Sequence, residues 1–178
     1  MGGWISIDGK ITEYFACPLS QLDVLRYGHP IGSANGQQIW ECLAILVAVD
    51  IWHAIWSQSR VVLKVKGDNV TALTMLVKMR PDGPKMAMIA RELALRLAKL
   101  SFPPDATHTP GVAHKIADLL SRVYMPGESK VVDDTLHPML VGAVRVDVPI
   151  RDDSYYRAVL HEPTFYRAEG DDWGSRWP

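Results

Sequence analysis

The sequence predicts an α/β fold in which a mixed sheet is flanked by helices. Three observations predict it: a β-hairpin at the start, a long apolar helix after it, and then strands and helices in alternation. The predicted order over residues 1–122 is β-β-α-β-α-α-β-α. Because a hairpin is antiparallel and strand–helix–strand units are parallel, the strand directions in such a sheet are mixed.

The hairpin is predicted from the stretch GGWISIDGKITEYFACPL. Ile5 and Ile7 alternate with Ser6 before the turn, which is the two-residue period of a half-buried strand. Asp8-Gly9 suits a two-residue turn, because both positions of that turn must tolerate positive φ. The stretch therefore predicts two strands joined by a tight turn.

The remaining elements follow from apolar periodicity and from breakers. Gln37–Trp56 is apolar on nearly every face, which predicts a well-buried helix. A strand is predicted at Val61–Val65, and a helix after Gly-Asp-Asn that ends at Arg-Pro-Asp-Gly-Pro. An amphipathic helix over Lys85–Leu100, a short strand over Ala106–Thr109 and a last helix containing Ala-Asp-Leu-Leu complete the predicted domain. Leu43, Leu46, Val47, Val62, Leu63, Leu93 and Leu97 are the predicted core.

Composition limits the classes of function. The net charge of −1 gives no overall basic field of the kind that marks many nucleic-acid binders. Two cysteines offer no disulfide framework and suit a reducing, intracellular compartment, either cytoplasmic or nuclear. We expect no membrane partner. The pattern fades after residue 122, so we interpret residues 1–122 as a domain and 123–178 as a tail or linker.

Three carboxylates occur on three separate predicted elements: Glu41 near the start of the apolar helix, Asp68 after a strand, and Asp118 on the last helix. Each has a structural alternative. An acid in a first helical turn is favoured by the helix dipole, Asp is a preferred N-cap, and a helical acid can be a solvated surface charge. Acids from separate elements can also hold Mg²⁺, and two such ions can activate water for phosphodiester hydrolysis.

The stretches WECLA, GDN and HTPGVAHKIADLLSR, in this order, resemble the ribonuclease H domain of retroelement reverse transcriptases. The similarity is greatest to the form in tyrosine-recombinase (DIRS-like) retrotransposons. That family ends its domain with His-x-Pro-Gly, a short gap and Ala-Asp-x-Leu-Ser-Arg. The matching residues are His108, Pro110, Gly111, Ala117, Asp118, Leu120, Ser121 and Arg122.

The resemblance implies a ribonuclease H-like mixed sheet flanked by helices and hydrolysis of RNA in an RNA–DNA hybrid. It implies that Glu41, Asp68 and Asp118 are ligands of Mg²⁺ or Mn²⁺, and that a reverse transcriptase module precedes the domain in one polyprotein. His114 lies four residues before Asp118 on the same helix face and could aid proton transfer or product release. The alternative is an ordinary surface histidine.

The family carries a fourth acid on a first, central strand that precedes the hairpin, and this sequence begins with the hairpin. Asp8 is no substitute, because it belongs to the turn at the far end of the strand. The resemblance therefore implies that the first central strand is missing, through truncation or decay, and that the chain is inactive or weak as it stands. The run AVRVDVPI, residues 143–150, could fill the gap, although Pro149 cannot donate to a ladder.

Two other interpretations remain open. A non-catalytic binding module could keep the ribonuclease H fold and use its surface. A generic α/β protein could carry the three acids only as caps and surface charges.

Overall fold

The protein, analysed as a computed structural model, is described for residues 1–56, 61–98, 100, 103–110 and 114–156. It is a mixed α/β fold, as the sequence predicts. The strands are β1 (Gly2–Ile7), β2 (Lys10–Ala16), β3 (Lys64–Gly67), β4 (Asp105–His108) and β5 (Val144–Arg145). The helices are α1 (Gln21–Tyr27), α2 (Gln37–Trp56), α3 (Val70–Lys78), α4 (Pro84–Leu97), α5 (Lys115–Arg122) and α6 (Ser129–Leu136).

The predicted hairpin is confirmed. β1 pairs with β2 in antiparallel register, so that Trp4 lies opposite Tyr14. Asp8 and Gly9 form the turn with φ of 51° and 79°, the backbone that a two-residue hairpin turn needs. The side chain of Asp8 is therefore committed to the turn end of the hairpin.

The strands form two separate sheets within the described residues. One has the order β1-β2-β5, and the other is the parallel pair β3-β4. In this part of the chain β1 pairs only with β2, and β3 pairs only with β4. No ladder joins the hairpin to β3 within the described residues, so the ribonuclease H-like arrangement of the sheet stays a prediction.

Residues 143–150 do not lie between the two sheets. β5 pairs in parallel with β2, with Val144 opposite Glu13 and Arg145 opposite Tyr14. It therefore extends the edge of β2 that faces away from β1, and the expectation that it fills the gap is wrong. The reason is the position of α6, whose Val132 packs with Ala16 of β2 and so delivers the following chain beside β2.

The main core surrounds α2. Leu43, Leu46 and Val47 of this helix are fully buried, and Ile89 and Leu93 of α4 pack in the same cluster. A smaller cluster covers the other face of the hairpin and contains Ala16, Leu120, Val132, Leu136 and Leu140. The hairpin thus lies between α2 on one face and α5 with α6 on the other.

One predicted core residue is exposed. Val62 is 57% exposed, whereas Val61, Leu63 and Val65 are half-buried against the core. Alternate residues of an extended chain point to opposite sides, so the inward position falls on odd numbers here. The ladder of β3 begins at Lys64, three residues after the predicted start of the strand.

Residues 123–156 contain α6, β5 and several short turns, and they pack on the rest of the fold. The strand-like run at residues 143–150 contains β5, whereas the pattern of the sequence did not predict α6 or the short turns. Residues 157–178 lie outside the described residues, and the domain boundary at residue 122 stays a prediction.

Residues 34–56, which contain α2, are long and apolar enough to cross a membrane by length and composition alone. Half of the most apolar 18-residue stretch is buried inside the fold. The core helix of a soluble protein can be equally long and apolar. The expectation of no membrane partner therefore stays untested.

Candidate active site at the strand ends

The carboxyl ends of β3 and β4 lie side by side. Gly67 and His108 are partners in the parallel ladder, and the amide of Thr109 donates to the carbonyl oxygen of Gly67 at 2.8 Å. The turn that begins at Asp68 is consequently adjacent to the His-Thr-Pro turn. In open α/β sheets, ligands bind beyond the carboxyl ends of the strands, so this edge is the place to expect a site.

Asp68 is exposed and does not cap the helix that follows it. Asn69 is the N-cap of α3: its side-chain oxygen accepts a hydrogen bond from the amide of Ala72 at 2.9 Å. The cap interpretation of Asp68 is therefore wrong. An amide side chain satisfies the helix terminus as well as a carboxylate does, which leaves the oxygens of Asp68 outside the cap.

Glu41 lies in the second turn of α2 and is partly buried. The side-chain amide of Gln37 donates to its Oε1 atom at 2.8 Å. Burial raises the pKa of Glu41, and the carboxylates of Asp68 and Asp118 raise it further; the Gln37 bond and the amino group of Met1 act in the opposite sense. Three acids on three elements thus lie near enough for Asp68 and Asp118 to disfavour the charge on Glu41.

Asp118 lies in the first turn of α5, about half of its side chain is exposed, and Nε of Arg122 is 3.1 Å from its Oδ1 atom. The same guanidinium reaches Glu128 at 3.6 Å. A cation at Asp118 would therefore compete with Arg122 for the carboxylate. The four-residue spacing of Asp118 and Arg122 on a helix is visible in the sequence, but the initial interpretation gave Arg122 no role.

Packing of α5 on β1 brings Asp118 to this end of the molecule. A methyl group added at Gly2 would lie 2.4 Å from Cβ of Leu120, which is far inside any real contact. Leu120 is 1% exposed, two residues after Asp118. The close approach needs glycine at position 2, a requirement that the sequence alone did not reveal.

His114 is partly buried and directly precedes α5. Its carbonyl oxygen accepts a hydrogen bond from the amide of Asp118 at 3.1 Å, and its side chain makes no capping bond. The backbone contact orients the first turn of the helix. Gly111, which is part of the predicted final motif, lies outside the described residues.

The chemistry of the donors fits a hard divalent cation. Glu41, Asp68 and Asp118 offer only carboxylate oxygens, the ligands that Mg²⁺ and Mn²⁺ prefer, and their mutual repulsion would be relieved by positive charge. Among the residues that the structure describes, however, no three His, Cys, Asp or Glu side chains are gathered as a ready metal site. The three acids lie near one another, but their carboxylates do not surround a common metal position.

Comparison with protein-family models, with curated proteins and with solved structures finds no match to this chain.

Proposed function

We propose that this chain is a ribonuclease H-like domain of a retrotransposon reverse transcriptase polyprotein, which hydrolyses RNA in RNA–DNA hybrids with Mg²⁺ or Mn²⁺. The observation that carries the proposal is that the carboxyl ends of β3 and β4 lie side by side where Asp68 begins, close enough to Glu41 for Asp68 to raise its pKa together with Asp118. These acids belong to three separate elements and occupy the positions that the resemblance assigns to metal ligands. Groups with perturbed pKa values beside like charges are frequent at functional sites.

In this proposal the protein side chains hold and orient the reacting groups. Glu41, Asp68 and Asp118 would hold two divalent cations, and these ions would supply an activated water and stabilise the leaving oxygen. Asn69 keeps α3 capped, so that Asp68 can turn toward the cations without loss of the helix. His114 is placed one helical turn before Asp118 and assists proton transfer or product release.

Residues 1–178 carry three of the four acids that the family has, so we expect this stretch by itself to have impaired activity. The edges of β1 and β3 that have no strand partner within the described residues are where the strand with the fourth acid would pair. In the polyprotein, the upstream reverse transcriptase module would lead into that strand. Loss of a ligand shared by two cations removes several kcal/mol of transition-state stabilisation, hence several powers of ten in rate.

The experiment compares residues 1–178 with the same chain preceded by a strand that carries an aspartate, each incubated with an RNA–DNA hybrid and Mg²⁺. We expect cleavage only by the extended chain, and we expect Asp68→Asn to abolish it. Asp147→Asn, an exposed acid beside β5, is the matched control and should leave the rate unchanged. If residues 1–178 cleave the hybrid and Asp68→Asn abolishes that cleavage, the expectation of impaired activity is wrong. If the extended chain does not cleave the hybrid, the proposal of an enzyme is wrong.

One observation favours a non-catalytic binding module as the second candidate. Arg122 already neutralises Asp118, and the acids are not closed around a metal position within the described residues. A binding module should bind the hybrid equally well with Mg²⁺ or with a chelator. Asp68→Asn should then strengthen binding slightly, since it removes a charge that repels phosphate.

A further inference from the structure

Residues 144–156, which we call the strap, cross the outer side of the fold from β5 to Tyr156. The strap has little backbone pairing with the rest of the protein. Two residues of β5 lie in the ladder with β2, and the amide of Val146 donates to the carbonyl oxygen of Tyr14 at 2.9 Å. Most of its attachment comes from side chains.

The first side-chain attachment is a buried ion pair between Arg151 and Asp23 of α1. Nε and Nη2 of Arg151 lie 2.9 and 2.6 Å from the two carboxylate oxygens of Asp23, and the two residues are 6% and 0% exposed. Asp23 also accepts hydrogen bonds from the amide and hydroxyl of Ser20, and Arg151 donates to the carbonyl oxygen of Pro18. Both charged groups of this pair are therefore hydrogen-bonded, as buried charges require.

The second attachment is the pair Tyr155 and Tyr156, both buried in the main core. Arg96 of α4 donates to the carbonyl oxygen of Tyr155 at 2.9 Å and lies 4.9 Å from the centre of its ring. Arg26 lies 4.2 Å from the centre of the Tyr156 ring, and Tyr27 shares a hydrogen bond with the Tyr156 hydroxyl at 3.1 Å. The strap thus covers one side of α1.

The backbone pairing of the other ladders and of α2 does not depend on the strap. The β1–β2 and β3–β4 ladders and the backbone bonds of α2 involve no residue of the strap. Segments with few backbone bonds to their surroundings open as local units at free energies below that of global unfolding. The ion pair opposes opening, because separating it exposes two charges that are held only by each other and by nearby polar groups.

We propose that the strap opens and closes as one unit, with the Asp23–Arg151 pair as its latch. In the closed state the strap shields the outer edge of β2 and the ring of Tyr27. In the open state both are bare while the core around α2 remains folded. Neither the strap nor its latch contains any of the three acids of the candidate site.

Native-state hydrogen exchange on residues 1–178 tests the proposal. We expect the amides of Val146, Tyr155 and Tyr156 to exchange at one shared opening rate in the wild type, roughly 100-fold or more faster than the α2 amides of Leu46 and Val47. Arg151→Gln should raise that shared rate a further 100-fold or more, as loss of a buried pair predicts.

Asp147→Asn is the control, since Asp147 is an exposed charged residue of the same strap. This substitution should change the shared rate less than about tenfold, as expected for an exposed charge. Strap amides that exchange at the α2 rate in the wild type would overturn the proposal, because the strap would then open only by global unfolding. Unrelated rates at the three strap amides would overturn it as well, and both results need only the wild-type chain.

Discussion

The amide of Thr109 donates a hydrogen bond to the carbonyl oxygen of Gly67, and this bond joins the turn that holds Asp68 to the turn that leads toward Asp118. The two turns are 41 residues apart in the chain, counted from Asp68 to Thr109, and are neighbours only because β3 and β4 are parallel partners. The candidate site therefore depends on the β3–β4 ladder as much as on the acids themselves.

Glu41→Gln should stabilise the protein at pH 7 by roughly 0.5–2 kcal/mol, the range common for stabilising substitutions. The pKa of Glu41 is raised in the folded state by burial and by the two neighbouring acids, so the folded state binds its proton more tightly than the unfolded state. Stability is lost as the pH rises above the ordinary value of 4.5 and through the folded pKa. Urea unfolding at pH 5 and pH 7 measures this difference.

The control for that substitution is Glu128→Gln, because Glu128 is half-exposed and belongs to a surface contact with Arg122. Its effect should stay within about 0.5 kcal/mol. A loss of stability in Glu41→Gln at pH 7 would show that the charge on Glu41 is compensated, contrary to the expected repulsion.

Asp23→Asn should cost about 3–5 kcal/mol at pH 7, because it leaves Arg151 buried without its counter-charge. Burial alone would raise the pKa of Asp23, but the hydrogen bonds and charge of Arg151, together with the bonds from Ser20, lower it. The wild type should therefore hold this stability above the ordinary value of 3.8 and lose it as the pH falls through the folded pKa. Unfolding curves between pH 2 and pH 7 measure the slope of stability against pH, which should be smaller in the asparagine variant.

Leu46→Ala should cost about 2–5 kcal/mol, since Leu46 is fully buried on the central helix. Leu25→Ala is the matched control, because Leu25 is 77% exposed on α1 and should change the free energy of unfolding by less than about 0.5 kcal/mol. Denaturant unfolding of both variants gives the comparison. Equal effects would mean that α2 is not the centre of the core.

Gly2→Ala should cost about 1–3 kcal/mol, because the new methyl group meets the side chain and backbone of α5 at Leu120. Gly67→Ala is the control: the nearest atom to its methyl group belongs to Leu73 at 3.4 Å, an ordinary contact. Thermal unfolding compares the two. If Gly2→Ala were tolerated as well as Gly67→Ala, α5 would not be pressed against β1 in solution.

The sequence predicted the local elements well, because their signals are local. The Asp8-Gly9 turn and the boundaries of α2 follow from backbone preference and from a continuous apolar surface. The sequence placed Val62, just before β3, in the core, but its side chain is exposed. A short run of apolar residues does not show which of its side chains face the core.

Long-range relationships could not be predicted in the same way. Asp23 and Arg151 are 128 residues apart, and neither belongs to a periodic pattern that would mark it as buried. The position of β5 beside β2 depends on α6, which the sequence pattern did not resolve. For the site, resemblance and residue type indicate the three acids, whereas the pairing of Arg122 with Asp118 is seen only in the structure.

Asn69 caps α3 and Asp68 does not, and this difference affects how the sequence changes over generations. Asn69 secures the start of α3, so a mutation that erases the charge at position 68 takes nothing from the helix cap. Selection for a folded chain therefore does not act against the loss of that carboxylate. Variants without the proposed activity would persist as well-folded proteins, and their sequences would change at Asp68 long before they change at Asn69.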